Sequence, residues 1–382
     1  MSEHRAIAEA VRSLRADGTS FVSATVVRVQ GSSYRRPGAR MIATETEWRA
    51  GSISAGCLER DVLTKGFWRT RSERAVLVTY SEAEDALDER RGSGCQGVID
   101  YLVERWDPEP HAADPWQNLE RCVRDDVSGV LVTVSRSTRA GVPVGARLWV
   151  GAEGCETSFD DPPLRAALER EARRVLAEPG RAYTTEVALG DAQIEALVEP
   201  VTPPPHIFIF GSGDDVTPVL TFAKHLGWTV SIWNAQPRIS ARERLRAADH
   251  YAVGPLNESE TLARLARAPR PVALVMGHDL AQDQAVLAAL VPSRAGYIGM
   301  LGPRRRTDQL IEGCRAQGLS VTERTLARIR GPVGLRIGAE TPAEIALSIL
   351  SEVQQWLAPP RERESTKPLA ASHDAPELAL GT

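Results

Sequence analysis

The chain has 382 residues, 42% of them hydrophobic and 25% charged, with a formal net charge of -4. That length predicts two domains and a tail, and the acidic balance argues against a general nucleic-acid binder, which needs a basic excess. No run approaches the roughly 18 apolar residues of a membrane span, and five cysteines without an export signal predict reduced thiols in the cytoplasm.

Glu3 to Leu14 reads as an amphipathic helix and Phe21 to Val29, rich in valine and threonine, as a strand. Gly31 to Gly38 is a loop carrying two adjacent arginines, Arg35 and Arg36, and Arg40 to Ala43 is a short returning strand. Val76 to Tyr80, Val98 to Val103 and Val130 to Val134 are further strands, and Glu82 to Arg91 is a charged, solvated connection. Pro162 to Leu176 has helical spacing, while Glu186 to Glu199 reads as a strand with a short helical piece. Residues 1–200 are therefore expected to form one α+β domain, whose topology the pattern does not give.

Two cysteines stand in small, glycine-rich segments, Ile53-Ser54-Ala55-Gly56-Cys57-Leu58-Glu59 and Gly92-Ser93-Gly94-Cys95-Gln96-Gly97. Glycine leaves the sulfur uncovered and permits a left-handed backbone. Leu58 to Leu63 reads as the opening of a helix, which places Cys57 near its N-terminus, where the dipole favours an anion. Two readings fit: thiols that contact a ligand, or two buried structural cysteines.

Pro203-Pro204-Pro205 marks a stiff boundary. Beyond it the apolar run His206 to Phe210 suits a strand buried on both faces, and strands and helices then alternate as in a doubly wound parallel sheet over residues 206–358. Gly211-Ser212-Gly213 begins a dinucleotide fingerprint, but Val216 replaces its third glycine and Asn234 stands where a ribose-binding carboxylate belongs. Three segments fall at carboxyl ends of strands, where open α/β sheets bind ligands: Met276 to Asp279, Gly299 to Arg306 and Gly331 to Glu340. His278 and Asp279 are candidates for acid–base work, and Arg304 to Arg306 for holding a phosphate, against the alternative of a solvated basic face. Thr341-Pro342-Ala343-Glu344 opens the last helix with a capping box, and residues 359–382 read as a disordered tail.

Taken together, the segments Gly31 to Ser33, Pro37 to Met41, Gly51 to Glu59, Gly94 to Gly97, Phe210 to Gly213, Met276 to Asp279, Tyr297 to Gly302 and Gly334 to Ala346 resemble the XdhC/CoxI family of xanthine dehydrogenase accessory factors. The resemblance implies an N-terminal XdhC/CoxI domain followed by a Rossmann-like domain, in a cytoplasmic maturation factor for molybdenum hydroxylases. It further implies that the protein binds molybdenum cofactor, protects it while a cysteine desulfurase partner installs a terminal sulfur, and passes it to the apo-enzyme. A homodimer is expected. Carried onto this chain, the cofactor contacts are Cys57 and Cys95, also the candidate metal ligands, with Gly56, Glu59, Arg35, Arg36, Gly211, Gly213, His278, Asp279, Arg304 and Arg305. The chain departs from the family pattern at Ala55, Gln96, Asn234, Gly277 and Arg336. A different reading of the Rossmann half is an NAD(P)-dependent oxidoreductase with His278 as acid–base and Asp279 as its orienter. A third is a thiol redox or metal-binding protein using Cys57, Cys95 and His278. Cys122, Cys155 and Cys314 have no motif around them and read as structural.

Overall fold

The computed structural model describes residues 2–31, 33–54, 56–81, 97–109, 113–236 and 243–358. The charged segment Glu82 to Arg91 and the tail at 359–382 lie outside them. Three sheets carry the architecture. The first belongs to α1 (Ser2–Ala16), β1 (Phe21–Gln30), β2 (Arg40–Ala43), β3 (Trp48–Gly51), α2 (Cys57–Arg69), β4 (Ala75–Ser81) and β5 (Val98–Trp106), with antiparallel order β3-β2-β1-β5-β4. The second belongs to α3 (Pro115–Asp125), β6 (Gly129–Ser137), β7 (Arg147–Gly151), β8 (Gly154–Thr157), α4 (Pro162–Ala177), β9 (Tyr183–Leu189) and β10 (Ala192–Val201), with antiparallel order β8-β7-β6-β10-β9. Raising each strand number of the first by five gives the second. The helices match too, one before the first strand and one between the third and fourth.

This duplication reaches single residues. Arg40 pairs across its ladder with Thr25, and Arg147 with Thr133; Glu104 lies opposite Ser23, and Glu199 opposite Leu131. Each arginine opens its strand after a Gly-Ala pair, Gly38-Ala39 and Gly145-Ala146, with φ +91 and +85 at the glycines. The two arginines then cross to the opposite unit. Arg40 makes a two-pronged ion pair with Glu199, and Arg147 Nη2 lies 2.5 Å from Glu104 Oε2, all four side chains less than a tenth exposed. A second crossed set lies nearer the surface, Arg28 to Glu195 at 3.5 Å and Arg136 to Asp100 at 3.1 Å. Each unit keeps its own core, α2 on the first sheet and α4 on the second, while α1 and α3 pack together through Ile7, Val11, Trp116 and Leu119. Val27, Leu102 and Leu197 fill the seam between the crossed ion pairs.

The expected parallel sheet follows the proline connector. It comprises β11 (His206–Phe210), β12 (Thr229–Asn234), β13 (His250–Val253), β14 (Pro271–Val275), β15 (Tyr297–Met300) and β16 (Ile329–Arg330), ordered β13-β12-β11-β14-β15-β16. One face is covered by α5 (Val216–His225) and the last helix, α10 (Pro342–Leu357), and the other by α6 (Glu260–Arg267), α7 (Leu280–Leu290) and α8 (Arg304–Ala316); a short α9 (Glu323–Leu326) precedes β16. The sheet is therefore doubly wound. The capping box at Thr341 and Glu344 forms as read from sequence. A clasp ties this half to α1: Arg5 donates to Asp249 (3.1 Å) and Thr229 (2.9 Å), while Lys224 grips both oxygens of Asp249. Among the described residues no helix is long and apolar enough to cross a membrane.

One local expectation fails. Glu186 to Glu199 is no strand with a helical piece but part of a hairpin, β9 and β10, in which Gly190 and Asp191 form the turn and Leu189 pairs with Ala192. Glycine at φ +63 supplies the left-handed backbone that so tight a turn demands.

Removing one partner of a crossed pair leaves the other charge buried and unanswered. Glu199→Ala and Glu104→Ala are each expected to destabilise the N-terminal half by about 3–5 kcal/mol. Glu195→Ala, facing the more exposed Arg28, is expected to cost about 1 kcal/mol or less. Urea unfolding followed by tryptophan fluorescence measures the contrast, and near-equal losses would contradict it.

Candidate functional site

The cysteine loop starts from Gly51, whose φ of +73 presses its α-carbon onto the carbonyl of Arg40, where a Cβ would collide. Ile53 then buries its side chain in the core of the first sheet. Glu59, one turn into α2 and 2% exposed, organises the rest. Its Oε1 accepts from Ser52 Oγ (2.9 Å) and the amides of Ile53 (2.9 Å) and Ser54 (2.7 Å). Its Oε2 accepts from the Gly56 amide at 2.9 Å and from Ser54 Oγ. Ser54 Oγ also accepts from the amides of Gly56 (3.1 Å) and Leu58 (3.2 Å), the capping role that Gly56 has no side chain to perform.

Burial alone would push the Glu59 carboxyl up. The hydrogen bonds from Ser54 and from the backbone of Ser54, Glu59 and Ile53 outweigh it and hold the group below the usual glutamate value of 4.5. Glu59, expected among the cofactor contacts, instead directs both oxygens into its own loop. It positions the site, while Gly56, Cys57 and Arg60 beside it are exposed. Cys57 is exposed on the first residue of α2, and beside it a Cβ at Gly56 (φ +125) would meet nothing within 4 Å among the described residues. Cys95 lies outside the described residues. The remaining cysteines behave as structural groups: Cys122 and Cys314 are buried, and burial pushes the Cys122 thiol up to about 12 and raises that of Cys155.

The two arginines of the preceding loop part company. Arg35 pairs with Glu3 on α1 through both guanidinium nitrogens, tethering the loop, whereas Arg36 is exposed.

In the parallel-sheet half, chain order reverses between β11 and β14, and the loops leaving those strands meet. Gly211 (φ +141) packs against the Met276–Gly277 peptide so closely that a Cβ would strike the Met276 carbonyl. A Cβ on Gly213 would come within 2.5 Å of Asp215 Oδ1 and 2.8 Å of His278 Nε2. Gly211, Gly213 and His278 are thus brought together as their strand-end positions imply. The partner of His278 is not the expected one. Asp279 caps α7, its Oδ1 accepting from the Gln282 amide at 2.8 Å, while Asp215 Oδ1, buried and without another partner among the described residues, stands 3.8 Å from His278 Nε2. Asp215 had no signal beyond its place in the first turn after Gly211-Ser212-Gly213.

The arginine run is resolved similarly. Arg304 is exposed and pairs with Asp308 one turn on, Arg305 is exposed, and Arg306 turns inward to bind buried Asp283 at 2.7 Å. Burial raises the Asp283 carboxyl despite that guanidinium. Asn234, at the end of β12, donates its amide to the Gln236 carbonyl. Among the described residues no group of three or more His, Cys, Asp or Glu side chains could hold a metal ion.

Because the folded pKa of Glu59 is depressed, its contribution is complete above the unfolded glutamate value and is lost as pH falls through the lower folded one. The protection factors of the Ile53, Ser54 and Gly56 amides, which measure exchange relative to the intrinsic rate at each pH, should therefore fall on acidification below about pH 4.5. In Glu59→Gln these amides should exchange faster by about 10-fold or more at neutral pH, since a charge-assisted acceptor is worth about 1.5–3 kcal/mol. Unchanged protection in the variant would remove Glu59 from this role.

Residues 14–81 match the model of the XdhC and CoxI family, and residues 207–353 match the XdhC Rossmann domain. A probable xanthine dehydrogenase subunit of Bacillus subtilis (strain 168) is 27% identical over 340 residues, 89% of this chain and 94% of that protein. An uncharacterized protein of Escherichia coli (strain K12) is 40% identical over 74 residues, 19% of this chain and 13% of its own. The crystal structure of a xanthine dehydrogenase from Bacillus halodurans superposes with a TM-score of 0.68 at 26% identity, covering 94% of this chain and 98% of that one. The first family match spans the cysteine loop and the second the switch-point crevice, and the chain belongs to the XdhC and CoxI family, with an XdhC Rossmann domain as its C-terminal half.

Proposed function

We propose that the protein is an accessory factor for a molybdenum hydroxylase, binding molybdenum cofactor as cargo through Cys57 and passing it to the apo-enzyme. The observation that carries this reading is the preformed loop in which buried Glu59 fixes five donor groups while leaving Cys57 exposed. A loop with its polar groups satisfied internally offers outward one soft sulfur on a rigid mount. A thiolate suits a molybdenum or sulfur centre better than a hard cation. The cargo supplies the redox-active metal to its eventual enzyme; this chain's residues bind and orient it. Gly56 puts no side chain beside Cys57, and Arg36 is the exposed guanidinium of the preceding loop suited to a pterin phosphate. A cysteine desulfurase that sulfurates the bound cofactor, and a homodimer as the working form, complete the proposal. The two relatives named for xanthine dehydrogenase support the choice of client.

The nicotinamide-dependent alternative draws on the meeting of Gly213, Asp215 and His278. Against it, Asn234 is engaged with its own loop, and Asp214 and Asp215 stand at the start of α5, where a pyrophosphate would be repelled. Titration calorimetry with NADH and NADPH is expected to show no saturable binding.

The cargo reading is tested by isolating the full chain from cells that make molybdenum cofactor and measuring bound molybdenum and released pterin. Cys57→Ala is expected to lose about 10-fold or more of both, the consequence of removing an exposed soft ligand. Cys155→Ala, a half-buried thiol of the second unit, should match the unaltered protein. Equal retention by all three would end the thiol-binding reading.

A further inference from the structure

At the end of the parallel sheet away from the switch point, the second antiparallel unit and the parallel-sheet half enclose a cavity of about 220 Å³. Its walls come from the start of β6, the end of α4, the proline connector, the first residue of β11, the turn before β14 and the end of α10. Neither family match covers the portion supplied by β6 and α4.

The chemistry of the lining is one-sided. Pro179, Pro200, Pro203 to Pro205 and Pro269 all face it, along with Val175 and Leu176. Proline has no amide hydrogen, so such walls withhold the backbone donors that an anionic group would otherwise find. His206 is no substitute. Burial holds its pKa to about 3, so it is neutral, and its Nε2 is paired with Ser231 Oγ at 2.8 Å. The lining contains no Asp or Glu, and its one charged residue is Arg270. That guanidinium lies 5.3 Å from the centre of the Trp356 ring and donates Nη1 to the Leu357 carbonyl, with no carboxylate partner among the described residues. It is an unneutralised cation at the edge of an apolar cavity.

We propose that this cavity binds a small apolar monocarboxylate, its hydrocarbon body against the prolines, Val175 and Leu176, and its carboxylate on Arg270. Size agrees with the assignment, since a cavity of about 150 Å³ accepts a benzene ring, leaving room here for a ring and its carboxylate. Because both halves of the molecule supply walls, the ligand tightens the junction between them, and the free energy of binding adds to the stability of the folded chain.

Benzoate is the probe, with benzyl alcohol as its uncharged counterpart of similar size, titrated calorimetrically into the full chain. Benzoate should bind saturably, one per chain, and raise the thermal midpoint. Arg270→Gln should weaken benzoate by about 10-fold or more, the worth of a charge-assisted hydrogen bond, while leaving benzyl alcohol unchanged. Leu176→Trp, which fills the cavity, should abolish binding of both at an unchanged circular dichroism spectrum. Absence of saturable benzoate binding, equal affinity of Arg270→Gln and the unaltered chain for benzoate, or benzoate binding that survives Leu176→Trp would each overturn the assignment.

Discussion

The crossed burial of Arg40 with Glu199 and of Arg147 with Glu104 is the constraint from which the N-terminal half follows. A guanidinium removed from water needs a carboxylate in good geometry, and here each unit supplies the carboxylate for the other's arginine. Neither sheet can bury its own arginine alone, so the two must associate, and the Gly-Ala pair before each arginine lets the chain pass close to that carboxylate. A Cβ on Gly38 would lie 3.4 Å from Glu199 Oε1, and one on Gly145 would lie 3.0 Å from Glu104 Oε1. The placement of the cysteine loop depends on this arrangement. Arg40 anchors the first residue of β2, β3 pairs with β2, and Gly51 closes β3 against the Arg40 carbonyl before the chain enters the loop.

The loop then separates two roles that the sequence leaves merged. Glu59 and Cys57 are two residues apart in one motif, yet the carboxylate is 2% exposed and turned inward while the thiol is exposed. A carboxylate accepting five hydrogen bonds has few lone pairs left for a ligand. Its work is to hold backbone amides in place, and the cysteine benefits from that rigidity. The second unit has no such loop at the matching position. There Asp161 caps α4 and Pro162 opens it, an ordinary helix start with no thiol. The duplication preserved the scaffold and its ion pairs, and one copy alone carries the exposed sulfur.

Much of the parallel-sheet half was legible because its signals are local. A buried run, a glycine turn and a helix recur at short range, so the strands, the doubly wound order and the meeting of Gly211, Gly213 and His278 could be expected from pattern. The choice of partners was not. Asp279 follows His278 directly, but its geometry suits the α7 cap, and the carboxylate facing the imidazole comes from Asp215, more than sixty residues earlier in the chain. Likewise Arg306, and not Arg304 or Arg305, turns inward, because only its position on α8 faces buried Asp283.

The sequence by itself determined the family, the doubly wound half and the helix start at Cys57, all of which rest on short motifs or on contiguous periodicity. Only the tertiary structure decided that residues before the proline connector form two copies of one unit. Its sequence traces are Gly-Ala-Arg at positions 38–40 and again at 145–147, and Leu-Val-Glu at 102–104 and again at 197–199, each too short to stand out. The equivalence lies in strand order and in ion pairs between residues about forty to a hundred and sixty positions apart. Such pairs are selected by burial and shape across a fold, and burial is a property that no local run of residues possesses until the chain has closed around it.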